Sequence, residues 1–204
     1  MGRNSLDYLE MIAEAGEFTN TLLRFGISDG YSQLRFSEAL PETIVSNSDS
    51  EIRLLLHHGS KFLTNKVFVS ELMRKRTVRV FLLLHEHLRD DDRQLLISLH
   101  GKMKGRLEVR TYADVPDFRL VFVDQSYLML SHYTSEEEER EAGTQASWEA
   151  PQLRIDARLR TTEAGVNYSL YGTFRKVWFD RWRLGRPLDL EPDTSGLSPR
   201  RNIE

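Results

Sequence analysis

Three short apolar runs constrain this chain most: "EIRLLLHH" (51–58), "VRVFLLLH" (78–85) and "RLEVRTYA" (106–113). Continuous runs rich in branched apolar residues are what strands covered on both faces require. Between the first two lies "KFLTNKVFVSELMRKR", with Phe62, Val69, Leu72 and Met73 at helical spacing. Between the second and third lies "DDDRQLLISLHGKMKG". It opens on aspartates suited to a helix N-terminus and closes on Gly105. Strands alternating with helices of this length predict βαβ units with right-handed crossovers, and so an α/β fold with a parallel core and helices on both faces.

The rest of the chain is arranged around that core. "SLDYLEMIAEA" has Leu6, Leu9, Ile12 and Ala13 on one side of a helix, so residues 1–34 read as an N-terminal helical segment. Residues 35–186 read as the α/β domain, starting with a helix broken before Pro41. The acidic, aperiodic stretch 134–150 reads as a surface loop, and "PQLRIDARLRTTEAGVNYS" has room for one more strand. "YGTFRKVWFDRWRLG" predicts a helix with Phe174, Val177, Trp178 and Trp182 on one core-facing stripe. Residues 187–204, rich in proline, glycine, serine and charge, read as a disordered tail.

Composition narrows the function. The chain is 204 residues long and 40% hydrophobic, enough for one domain with a real core. It has no cysteine, which excludes disulfides, thiolate zinc sites and a cysteine nucleophile. No window approaches 18 uninterrupted apolar residues and no secretory leader is evident, so no membrane association and a cytoplasmic location are expected. A net charge of −3 gives no general attraction to nucleic acid, which is an unfavoured but not excluded partner. Local basic clusters at 74–79, 102–106 and 174–186 read first as solvated faces and helix ends, and otherwise suit a small phosphate-bearing ligand.

The strongest functional signal is "DFRLVFVDQSYLMLSHYT" (117–134), which reads as a β-hairpin. Residues two apart in a strand share a face, so Asp117, Arg119, Val121 and Val123 project together and Phe118, Leu120 and Phe122 project the other way. A two-residue turn at Asp124-Gln125 pairs Asp117 with His132, and one at Gln125-Ser126 pairs Arg119 with His132. Both bring His132 to the Asp117/Arg119 face. Only an odd-length loop sends it away.

This spacing resembles the phospholipase D superfamily motif H-x-K-x4-D-x6-G-S-x-N. The frame here reads Asp117-x-Arg119-x4-Asp124-x6-Ser131-His132-x-Thr134, with only Asp124 keeping its identity. The resemblance covers roughly residues 35–185 and points to a divergent single-motif bacterial branch with a degenerate site. It implies parallel strands before the hairpin, an aromatic helix after it, and a homodimer whose hairpin faces meet across a two-fold axis. In the family the motif histidine attacks phosphorus. Asp117 at that position is anionic and repelled by phosphate, so family-type hydrolysis is not expected. Arg119 keeps a permanent charge and a bidentate fork for phosphate, while Ser131 and Thr134 keep small polar groups.

Further polar residues gather at strand ends. His57 and His58 follow the first strand, and His85 and His87 the second, where open α/β sheets take ligands. A metal site there is conceivable but not favoured, since adjacent His57 and His58 point oppositely. "HHGS" also offers backbone N–H groups to an anion, with Ser60 opening the next helix. No Gly-rich phosphate loop, nucleophile elbow, zincin helix or dinucleotide fingerprint appears, and no cofactor is called for. The sequence therefore predicts a catalytically degenerate domain acting as a ligand-binding, sensor or partner-interaction module for a phosphorylated small molecule or nucleotide. Its expected ligand-binding residues are Asp117, Arg119, Asp124, Ser131, His132, Thr134, His57, His58 and Ser60. The alternative is a phosphodiesterase or nuclease using His132.

Overall fold

The computed structural model describes residues 27–31, 44–57, 60–114, 118–132, 152–158, 161–163 and 166–191. The three apolar runs form strands β2 (Glu51–Leu56), β3 (Arg79–His85) and β4 (Leu107–Tyr112), adjacent in one sheet. Both β2–β3 and β3–β4 are parallel, with Leu54 paired to Leu82 and Leu82 to Val109. The hairpin forms β5 (Phe118–Val123) and β6 (Tyr127–His132), and β5 runs antiparallel to β2 on its other side. The fold is α/β with a mixed sheet, as expected.

Three other strands complete the sheet. β1 (Ile27–Tyr31) and β7 (Gln152–Asp156) extend it beyond the hairpin, and β10 (Arg186–Pro187) caps the far edge. The eight-stranded order is β1-β7-β6-β5-β2-β3-β4-β10. Two expected boundaries change here. Residues 27–31 belong to the sheet and not to a helical segment. Pro187 does not begin a tail, because it pairs with Arg110 and the following residues carry Leu190 to 5% exposure in the core. A separate hairpin joins β8 (Thr161–Glu163) to β9 (Val166–Tyr168). The calls on residues 1–26, 134–150 and 192–204 fall outside the described residues.

Helices cover both faces. On one face lie α1 (Ser60–Thr64), α2 (Lys66–Arg74) and α3 (Asp90–Met103), burying Phe62, Phe68, Leu72, Leu96 and Met103 against Leu54, Leu82 and Val121. The run expected to be one helix is two. Asn65 interrupts it, because its Oδ1 accepts the Phe68 N–H at 3.0 Å and starts α2 afresh. α3 opens on Asp90, Asp91 and Asp92 and ends on Lys104 and Gly105, both at positive φ.

On the other face, α4 (Leu170–Leu184) packs Tyr171 and Trp178 onto Leu55, Leu83, Leu120 and Phe122. Trp178 is 1% exposed and its ring stacks on Trp182 at 4.9 Å. Val177 was expected on this buried stripe but is 39% exposed. The contacts explain this: Tyr171, Phe174, Trp178 and Trp182 follow the i, i+3, i+7, i+11 line onto the sheet, and Val177 falls on its flank. Among the described residues no helix is long and apolar enough to cross a membrane.

Candidate functional site

The hairpin determines which candidates can meet. Val123 pairs with Tyr127, Arg119 with Ser131 and Phe118 with His132. The Val123 carbonyl accepts the Ser126 N–H at 3.1 Å, closing a turn over Asp124-Gln125 with Ser126 as an extra residue. The loop is thus odd in length, and every partner shifts by one. Both expected registers are corrected. His132 sits at a register position opposite Phe118, on the α4 side of the sheet, while Arg119 and Ser131 share the α1–α3 side.

Arg119 is 6% exposed and its Nη2 donates to Ser131 Oγ at 3.1 Å. These two frame residues therefore form one buried polar pair at the start of the hairpin. Asp117, Thr134 and His58, the other candidates near this end, lie outside the described residues. Ser60 opens α1 as expected.

Asp124 lies at the opposite end of the strands and has a different task. Its carboxylate accepts the Asp49 N–H at 2.7 Å, the Ser50 N–H at 2.9 Å, the Ser50 hydroxyl at 2.7 Å and the Glu51 N–H at 2.7 Å. Ser48 Oγ approaches it at 3.3 Å. Burial pushes the carboxyl pKa up, but these hydrogen bonds outweigh it and the net shift is downward. Asp124 was expected to bind ligand. Instead its lone pairs are taken by the segment entering β2, so it holds the fold together. Nothing in the local sequence could reveal this, because the donors lie 73 to 76 residues away.

The histidines converge more than the sequence suggests. The His85 N–H donates to the His57 carbonyl at 3.1 Å, continuing the β2–β3 ladder. The two rings meet edge to face at 5.1 Å, and His87 stacks on His85 at 4.9 Å. His85 is buried, with Nε2 2.9 Å from the Ala113 carbonyl and Nδ1 3.4 Å from the His87 N–H. The ring is thus held between two backbone groups, the Ala113 carbonyl and the His87 N–H. No group of three metal-ligating side chains with suitable geometry occurs among the described residues.

One set of contacts escaped the sequence reading: the arginines laid against aromatic rings beside α4. Arg53 is 9% exposed and lies 4.9 Å from the Phe179 ring centre and 5.5 Å from that of Trp178. Arg110 covers Trp182 at 4.8 Å and Arg181 covers Tyr112 at 5.5 Å. The available signal was an arginine at alternate positions of otherwise apolar strands, facing a helix rich in tryptophan.

No protein-family model matches the sequence, and no curated protein matches it either. Among solved structures, the fold is similar to that of TrmBL2, an archaeal chromatin protein with a novel mode of DNA binding. That likeness has a TM-score of 0.53 at 15% identity and covers 90% of this chain but 65% of that one. Also similar are a phospholipase D family member, Nuc, from Salmonella typhimurium (TM-score 0.46, 19% identity, 74% of this chain and 89% of that one) and NucT from Helicobacter pylori (TM-score 0.48, 9% identity, 78% and 98%). At these identities the likeness is one of fold.

Proposed function

We propose that this chain is a phospholipase D-like domain that binds a phosphate-containing ligand, or a partner presenting one, without turning it over. The hairpin register carries this reading. It moves His132 off the face of Arg119, and the frame position of the attacking histidine is an aspartate. Among the described residues, that face carries a guanidinium beside a hydroxyl, which is chemistry for holding an anion and not for forming a covalent phosphoenzyme. The homodimer implied by the family resemblance is part of the proposal, with the Arg119 faces of two chains turned toward each other. The DNA binding of the similar archaeal chromatin protein adds DNA to the partners worth testing. The net charge of −3 makes a small ligand the better choice.

A thermal-shift screen with nucleotides and phosphorylated metabolites tests this directly, followed by a phosphodiester hydrolysis assay on each hit, with and without metal. At least one ligand whose stabilisation depends on Arg119, without turnover, is the expected result. Turnover abolished by His132→Ala would replace this reading with that of a phosphodiesterase or nuclease.

A further inference from the structure

A second group of side chains gathers on the opposite face of the sheet, at the C-terminal ends of the parallel strands. His85 pairs with Tyr112 across β3 and β4. Leu56 pairs with Leu84 and Leu55 with Leu120, so the next positions in register set His57 between His85 and Phe118. One row thus runs Phe118, His57, His85, Tyr112 across four neighbouring chain segments on the α4 side. Adjacent strands are about 4.8 Å apart, so the row spans roughly 14 Å.

One flank of α4 stands beside this row. Phe174, Val177 and Arg181 follow an i, i+3, i+7 line along it. Phe174 meets Phe118 edge to face at 5.8 Å, and Arg181 lies 5.5 Å from the Tyr112 ring. The two ends differ in chemistry. At one end Phe118 leaves apolar surface in water at 38% exposure, and Val177, one turn along α4 from Phe174, does so at 39%. At the other, Arg181 Nη1 is buried with no hydrogen-bond partner among the described residues. A buried donor left without a partner is costly and marks a place for an absent acceptor. Between the ends lie the rings of His57 and the exposed His87.

We infer that this row is a binding site for a nucleoside monophosphate, with the planar base on Phe118 and Val177 and the phosphate at Arg181. The row is long enough for base, sugar and phosphate, and the C-terminal ends of parallel strands are where open α/β sheets take such ligands. The site lies on the other face from Arg119 and Ser131 and does not depend on them.

Calorimetric titration of the full chain with adenosine monophosphate, adenosine and inorganic phosphate tests the assignment. Saturable binding of the monophosphate is expected. Arg181→Ala should weaken it about tenfold or more while leaving adenosine unchanged. Phe118→Ala should weaken both monophosphate and adenosine. No saturable binding of the monophosphate overturns the inference. So does binding that is lost in Arg119→Ala and kept in Arg181→Ala, which would place the ligand on the hairpin face and leave the proposed function standing. If Arg181→Ala does not fold, the wild-type protein decides. The ring-proton signals of His57 and His87, assigned from single His→Gln variants, must move on adding the monophosphate, and stationary signals sink the idea.

Discussion

Asp124 and Glu51 are clasped in both directions: the Glu51 N–H donates to Asp124 Oδ1 at 2.7 Å, and the Asp124 N–H donates to the Glu51 carbonyl at 2.9 Å. One residue lies in the turn after β5 and the other begins β2, the strand beside it. The Tyr171 hydroxyl also reaches the Asp124 carbonyl at 3.3 Å, tying the N-terminal turn of α4 to the same point. Three elements distant in sequence thus depend on a single turn residue. Its left-handed φ of 49° is one that aspartate tolerates better than most residues.

Removing the carboxylate orphans several donors together. Hydrogen bonds to charged groups are worth about 1.5–3 kcal/mol, and exposed neighbours recover part of that from water. We expect Asp124→Ala to lower the unfolding free energy by about 2–4 kcal/mol in chemical denaturation. Asp124→Gly relieves the backbone yet loses the same contacts, so it should be destabilised too. Full stability in Asp124→Gly would show that turn geometry and not the carboxylate matters.

The same carboxylate sets a pH dependence. Its folded pKa lies below the ordinary value, so its contribution is complete above the unfolded pKa of about 3.9 and is lost as pH falls through the folded value. The stability gap between wild type and Asp124→Asn should therefore be constant from about pH 7 to 5 and shrink below about pH 4. Parallel stability curves through that acid range would mean the carboxylate titrates alike in both states.

The proposed dimer makes a sharper demand on Arg119. A buried charge whose counterpart is removed typically costs about 3–5 kcal/mol. If Arg119 pairs with an acidic side chain of a second copy, Arg119→Ala should raise the dimer dissociation constant by about a hundredfold or more, read by sedimentation equilibrium at low concentration. A wild type that sediments as a monomer, or a dimer indifferent to the change, removes the two-fold arrangement.

Gly185 ends α4 with no room for a side chain. An added Cβ would sit 3.1 Å from Leu83 Cδ1, 3.2 Å from the Thr111 carbonyl oxygen and 3.3 Å from Arg110 Cβ. Leu83 is fully buried and the Thr111 oxygen is backbone, so neither yields easily. Gly185→Ala should cost about 1–3 kcal/mol by thermal or chemical denaturation, with the C-terminal edge strand loosened first by hydrogen exchange.

What could be read in the sequence followed from local chemistry. Leu54 to Leu56 and Leu82 to Leu84 have apolar side chains on both strand faces, and such runs are soluble only inside a covered sheet. The aspartates opening α3 and the glycine closing it act within a turn of the helix they bound. The aromatic stripe of α4 needed only helical periodicity. The pairing of Arg119 with Ser131, and the parting of both from His132, was not legible, because side-chain direction reverses with each residue added to a loop. Whether Ser126 is that added residue depends on how the turn is anchored. Asp124 is held by backbone donors at 49–51, Ala157 donates to the Ser126 carbonyl, and Tyr171 closes over the turn. Those partners come together only once the sheet has formed. The sequence by itself determined the parallel core and its helices. The tertiary structure decided which polar residues share a face, since that rests on one residue of register set by contacts more than 30 residues away.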